Sequence, residues 1–275
     1  MTFIWQLLAV VAISFLGNLA VGAVEPSPWL TFAVSVLVAV GAVLGYRWVV
    51  GRTERRAVDE LGRARAGRAL GWGALLGLSL FGLVIACIAA LGGYHVSGTG
   101  SFSGFVWLLG FMTVVAVAEE LLFRGILFRH VEQWFGTWVA LVGTGLVFGL
   151  AHLFNPNATL WGAIAIAIEA GGMLGAAYVA TRRLWVPIGL HFGWNVAGSA
   201  IFSTEVSGGD TRQGLLEATT SGPTILAGGQ FGPEASSFAV IFCLGAALVF
   251  LRVAARRGNL VPSRLPRRRT GSLAR

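Results

Sequence analysis

The chain returns again and again to apolar runs about 20 residues long, the length a helix needs to cross the hydrocarbon core of a bilayer. Eight such runs are legible, at approximately 3–24, 29–50, 70–92, 104–127, 137–153, 158–181, 185–203 and 238–254. With 56% hydrophobic and only 12% charged residues, and a mean hydropathy of +0.76, a soluble domain would lack the polar material to cover its surface. The expected fold class is therefore all-α: a polytopic integral membrane protein, a bundle of about eight transmembrane helices. The first run has no Arg ahead of its apolar core, so it reads as an uncleaved helix and not as a signal peptide.

Basic residues set the expected orientation. The chain has no Lys, and nineteen of its twenty Arg fall at the ends of the runs that share a side with the N-terminus; only Arg212 falls on the other side. The positive-inside rule then puts both termini in the cytoplasm of a cell membrane, and the absence of Lys points to a GC-rich, bacterial source. The net charge of +8 is thus explained by topology, and no fold signal supports nucleic-acid binding. The tail from Arg256 is polybasic and suits anionic lipid headgroups. Residues 52–69 read as a polar interfacial connection, and the Gly/Ser/Thr-rich segment 204–237 as a flexible extracytoplasmic loop. Cys87 and Cys243 lie in apolar runs and read as small buried hydrophobes. The resulting organisation has N-terminal helices and the Arg-rich connection over 1–103, core helices over 104–203, the loop, and a last helix with its tail over 238–275.

The ionisable residues that stand out inside the runs are Glu119, Glu120, Arg124, His152, Glu169 and His191. Lipid penalises each of them, so such residues face a bundle interior and mark function by default. Glu120 and Arg124 are four apart and share a helix face, as an ion pair requires. Glu119 points about 100° away from Glu120, so it is free to face a cavity as a general base. Phe148 and His152 are four apart, as are His191 and Asn195. Glu, His and Asn from three helices are the parts of a site that activates water and steadies an oxyanion. Two His and one Glu would equally serve as Zn²⁺ ligands with a position left for water, so Glu119, His152 and His191 are also candidate ligands for Zn²⁺ or another divalent metal. Glu169 reads best as a hydrogen-bonded interior carboxyl, and His95 and His130 as solvated bystanders.

The three blocks "EELLFR" (Glu119–Arg124), "FGLAH" (Phe148–His152) and "HFGWN" (His191–Asn195) stand in the order EExxxR, FxxxH, HxxxN. In this the chain resembles the CPBP intramembrane proteases, also called the Abi or type II CAAX prenyl endopeptidase family, over about residues 104–203. The resemblance implies an eight-helix endopeptidase that cuts a membrane-associated protein or peptide near the cytoplasmic face, a prenylated protein in eukaryotic members. It further implies Glu119 as water-activating base, Glu120 with Arg124 as its support, His152 and His191 as catalytic or metal-binding residues, and Asn195 as oxyanion donor. Family members are labelled metalloproteases, though a metal-free glutamate mechanism fits the same residues. Two other classes compete: a proton-coupled transporter, whose relay would use the same buried charges, and a self-immunity protein that binds a peptide without cutting it.

Overall fold

A computed structural model describes residues 2–210 and 212–263. Helix α1 (Thr2–Gly22) turns into α2 (Pro28–Glu54), which Pro28 starts at a position where no amide proton is needed. Then follow α3 (Ala66–Ala90), α4 (Phe102–Phe135), α5 (Thr137–Phe154), α6 (Leu160–Thr181), α7 (residues 185–201) and α8 (Ser237–Arg256). Ser101, Thr159 and Ser236 cap α4, α6 and α8, each accepting a backbone amide of the first turn. A two-stranded antiparallel ribbon joins β1 (Tyr94–Thr99) to β2 (Leu216–Thr220), with a bulge between Val96 and Gly98.

Seven of these helices are long and apolar enough to cross a membrane, and the chain is an all-α multi-pass membrane protein. The eighth expected span, α7, is an 11-residue α-helix continued by six residues of π-helix, about 25 Å at 1.5 Å per residue. That falls short of a bilayer core of about 30 Å. Most of α7 is buried, so it serves as the centre of the bundle and has little lipid to face. Its packing against α3 is very close. Gly73 and Gly77 of α3 face the backbone of Val186, Leu190 and Trp194, while Gly189 and Gly193 of α7 face that of Leu70 and Ala74. Two small-xxx-small pairs thus meet in one interface, which lets backbones approach where lipid offers no hydrophobic drive.

The two ends of the bundle differ in chemistry. At one end Arg56, Arg129, Glu54 and Glu60 interlock: Arg129 grips Glu54 at 2.5 Å and Arg56 grips Glu60 at 2.7 Å. Arg182 pairs with Glu132, and Arg257 donates to Ala180 O at 3.0 Å. Burial pushes the Glu60 carboxyl up, but the Arg56 guanidinium, a backbone amide and Arg129 together outweigh it and hold the group below its usual range. The 52–69 connection is therefore tucked inward, with Glu60 and Leu61 buried, and does not simply lie on a surface. His130, expected to be solvated, is buried here with Nδ1 on Ile126 O at 2.9 Å, whereas His95 is exposed. The tail begins by docking on the α4–α5 turn, where the Thr137 amide donates to Val261 O at 3.0 Å; from residue 264 it lies outside the described residues. Cys87 and Cys243 are free, Cys243 fully buried.

At the opposite end, the segment between α7 and α8 is built into the fold and does not form an open loop. Beyond the β2 pairing, Phe231 and Glu234 are 1% exposed, and Asn155 and Asn157 reach across to Ser207 O at 2.7 Å and Asp210 at 2.9 Å. Arg212, the one Arg at this end among the described residues, pairs with Glu25 at 2.8 Å and covers the Trp107 ring at 4.4 Å. Exposed Trp29 and Trp48 stand about 28 Å apart along α2, a spacing suited to the two interfaces of a bilayer. Phe32 meets Gly110 of α4 and Tyr46 meets Gly125, so Glu119 falls between those levels, inside the apolar layer. The remainder of α4 runs on to the Arg129 and Glu132 contacts at the basic end.

Candidate active site

Three segments of widened π-helix interrupt the bundle: Leu121–Phe128 on α4, Ala167–Leu174 on α6 and Val196–Ile201 on α7. Each abuts or contains a residue singled out by the sequence, namely Glu119 and Glu120, Glu169, and Asn195. A π-turn frees carbonyls from the i→i+4 ladder and often marks a functional site. Arg124 takes advantage of one such carbonyl, donating through one arm to Ala170 O and through the other to Glu120 Oε1 at 2.6 Å. The Glu120–Arg124 pair is almost fully buried, and the guanidinium lies 5.0 Å from the Phe148 ring centroid.

Glu120 Oε1 accepts a second bond, from His191 Nδ1 at 3.0 Å. A carboxylate only accepts here, so Nδ1 carries the proton and Nε2 is the outward nitrogen. Nε2 faces Glu119 Oε2 at 3.8 Å, within ion-pair reach but too long for a hydrogen bond. His152 follows the same logic: Nδ1 donates to Phe148 O at 2.7 Å, which leaves Nε2 with a lone pair. Phe148 lies between the imidazoles, tilted against His152 at 4.8 Å between centroids and edge-on to His191 at 6.3 Å. The F of FxxxH is thus the spacer that holds both rings and the arginine.

A cavity of about 300 Å³ lies over this cluster. Glu119, His152, His191 and Asn195 all line it, while Glu120 and Arg124 stand behind the wall. The Glu119 side chain is 30% exposed, and Asn195 is buried with no hydrogen bond on its amide among the described residues. The structure therefore brings the three sequence blocks together around one space. That space also reaches Ser207 and exposed Asp210, so it extends toward the end away from the Arg-rich network, and not toward the basic side where the resemblance put the cut.

Sequence reasoning missed Trp194, Asn155, Ser207, Asp210 and Glu234, all of which line the cavity. Trp194 sat inside the HFGWN block; the others come from stretches without periodicity. Glu169 was expected to be hydrogen-bonded. It is buried, and neither carboxyl oxygen has a partner among the described residues. The Zn²⁺ reading also fits poorly. Among the described residues no three His, Cys, Asp or Glu side chains form a group able to hold a metal ion. His191 turns both ring nitrogens toward carboxylates, Nδ1 to Glu120 and Nε2 to Glu119.

Glu119, His152, His191 and Asn195 thus face one cavity inside a helical membrane bundle. Residues 101–197, about a third of the chain, match the family model described as Type II CAAX prenyl endopeptidase Rce1-like. The matched stretch contains all three blocks. Neither a curated protein nor a solved structure matches the chain.

Proposed function

We propose that the protein is an intramembrane endopeptidase that hydrolyses a membrane-associated protein or peptide, with Glu119 as the base that activates water. The observation that carries this reading is the convergence of Glu119, His152, His191 and Asn195 on one cavity, backed by the buried Glu120–Arg124 pair. Water held by His152 Nε2 loses a proton to Glu119 as its oxygen attacks the peptide carbonyl. The Asn195 amide, with His191 when its Nε2 carries a proton, donates to the oxyanion that forms. Glu119 then returns the proton to the departing amine, so water is split between the two products. Glu120 and Arg124 touch no substrate; they hold His191 and keep the local charge balanced.

Orientation follows from the charge at the two ends. With the basic end cytoplasmic, the cavity leads to the extracytoplasmic side, and the substrate enters from there or from the lipid beside it. The direct test is purified protein in lipid nanodiscs with a peptide library in H₂¹⁸O. Endopeptidase action gives new carboxyl termini carrying one ¹⁸O, and Glu119→Gln gives none. Metal analysis of the active preparation is expected to show no stoichiometric zinc; zinc that follows His152 and His191 on substitution would replace the glutamate mechanism with a metal-assisted one.

A further inference from the structure

Besides exposed Asp210, the cavity is lined by two buried acidic side chains that the hydrolysis does not use. Glu169, on the π-segment of α6, is 2% exposed and has no hydrogen bond to either oxygen among the described residues. Glu234, 1% exposed, is fixed: Oε1 accepts from Trp194 Nε1 at 2.7 Å, and Oε2 accepts from the Ser207 amide and from its hydroxyl at 3.0 Å. Both carboxyls line the same cavity as His152. The Arg124 guanidinium bonds to Ala170 O beside Glu169 but is committed to Glu120.

A buried carboxyl without a partner is costly to keep in either protonation state, because its desolvated oxygens gain nothing in return. Structural use explains Glu234, whose oxygens are saturated by Trp194 and Ser207. It does not explain Glu169, which ties nothing together. A cation entering the cavity would satisfy Glu169. The walls suit a particular kind of cation: Ile166, Met173 and Met112 offer apolar surface on the way to Glu169, and lysine and arginine carry a charged head on an apolar stem. No metal-holding group forms here, so a bare divalent ion is a poor match.

We propose that Glu169, supported by Glu234, is a subsite for one lysine or arginine side chain of the peptide that enters the cavity, and so determines where the chain is cut. This rests on the endopeptidase reading, since the subsite opens into the space that holds Glu119 and His152. The selectivity belongs to this chain's own residues, for Glu169 and Glu234 lie outside the three blocks.

The test uses the full chain in nanodiscs as the Glu119→Gln protein, which retains peptide uncut. The probes are fluorescent decapeptides of a leucine/serine host with a single lysine at successive positions, each paired with a norleucine peptide of the same length. Anisotropy is expected to show at least tenfold tighter binding of lysine at one position. That ratio is expected to fall to about one in a Glu169→Gln background, and likewise for Glu169→Leu, which guards against a poorly folded first variant. Equal affinities for lysine and norleucine at every position, or a lysine preference untouched by both substitutions, would overturn the subsite. The active protein separates the two claims: cutting without regard to charge removes the subsite and leaves the hydrolysis, whereas charge-selective binding with no new peptide termini does the reverse.

Discussion

Removing the Arg124 charge tests the architecture beneath the site. In Arg124→Met the Glu120 carboxylate would remain at a position with 0% side-chain exposure, having lost a 2.6 Å bond and keeping only His191 Nδ1 at 3.0 Å. Ala170 O would lose its donor as well. Breaking a buried pair from one side costs about 3–5 kcal/mol, which at about 1.4 kcal/mol per decade lowers the folding equilibrium constant by roughly 10² to 10⁴. Replacing both partners with apolar groups is often neutral, so Glu120→Leu with Arg124→Met is expected to recover most of that loss. The double variant should nevertheless be inactive, since His191 then lacks its anchor. Unfolding in mixed micelles of rising SDS fraction, followed by tryptophan fluorescence, measures both variants. A cost below about 1 kcal/mol for the single substitution, or no recovery in the double one, would show that the Glu120 charge is not buried and paired as described.

Glu119→Gln is expected to lower the cleavage rate at least 10²-fold, the lower range for loss of general-base catalysis, without changing the unfolding midpoint. Asn195→Ala is expected to reduce kcat by about 10² to 10³ with little change in KM, as for loss of one oxyanion donor; a KM effect alone would make Asn195 a binding residue. Gly193→Leu should prevent folding or insertion because its Cβ would collide with the Ala74 backbone, whereas Gly143→Ala, with open space around it, should leave expression and unfolding unchanged. At the basic end, Glu60 is held below its usual range. Its contribution is therefore complete above the unfolded carboxylate pKa of about 4.3 and is lost as pH falls toward the lower folded value. Glu60→Gln should flatten the loss of stability below pH about 4, and an unchanged acid limb would remove Glu60 from that network.

How far the sequence reaches depends on how local each signal is. The Glu120–Arg124 pair follows from a four-residue spacing on one helix, and the Glu119 direction from the turn angle, so both were readable before any coordinates. The meeting of α4, α5 and α7 around Phe148 was foreseeable only because three polar blocks sat in otherwise apolar runs. Apolar content alone could not tell α7, buried at the centre, from a helix that spans lipid; its pairs of glycines facing α3 were the finer clue. Glu169 was misread because a lone carboxyl in an apolar run says nothing about who faces it. Ser207, Asp210 and Glu234 were invisible for a different reason: residues 204–237 have neither the 3.6 nor the 2.0 periodicity, and their place over the cavity is set by long-range contacts such as Asn155 to Ser207 and Trp194 to Glu234. The π-segments likewise leave no pattern in composition.

Proteolysis by Glu119 is most directly tested in living membranes. Quantitative mapping of protein termini, compared between cells carrying the normal chain and cells carrying Glu119→Gln at equal abundance, is expected to reveal at least one membrane-associated protein that accumulates uncut and lacks its new terminus in the variant. Identical termini in the two membranes would contradict the account, leaving the buried charges to packing or transport.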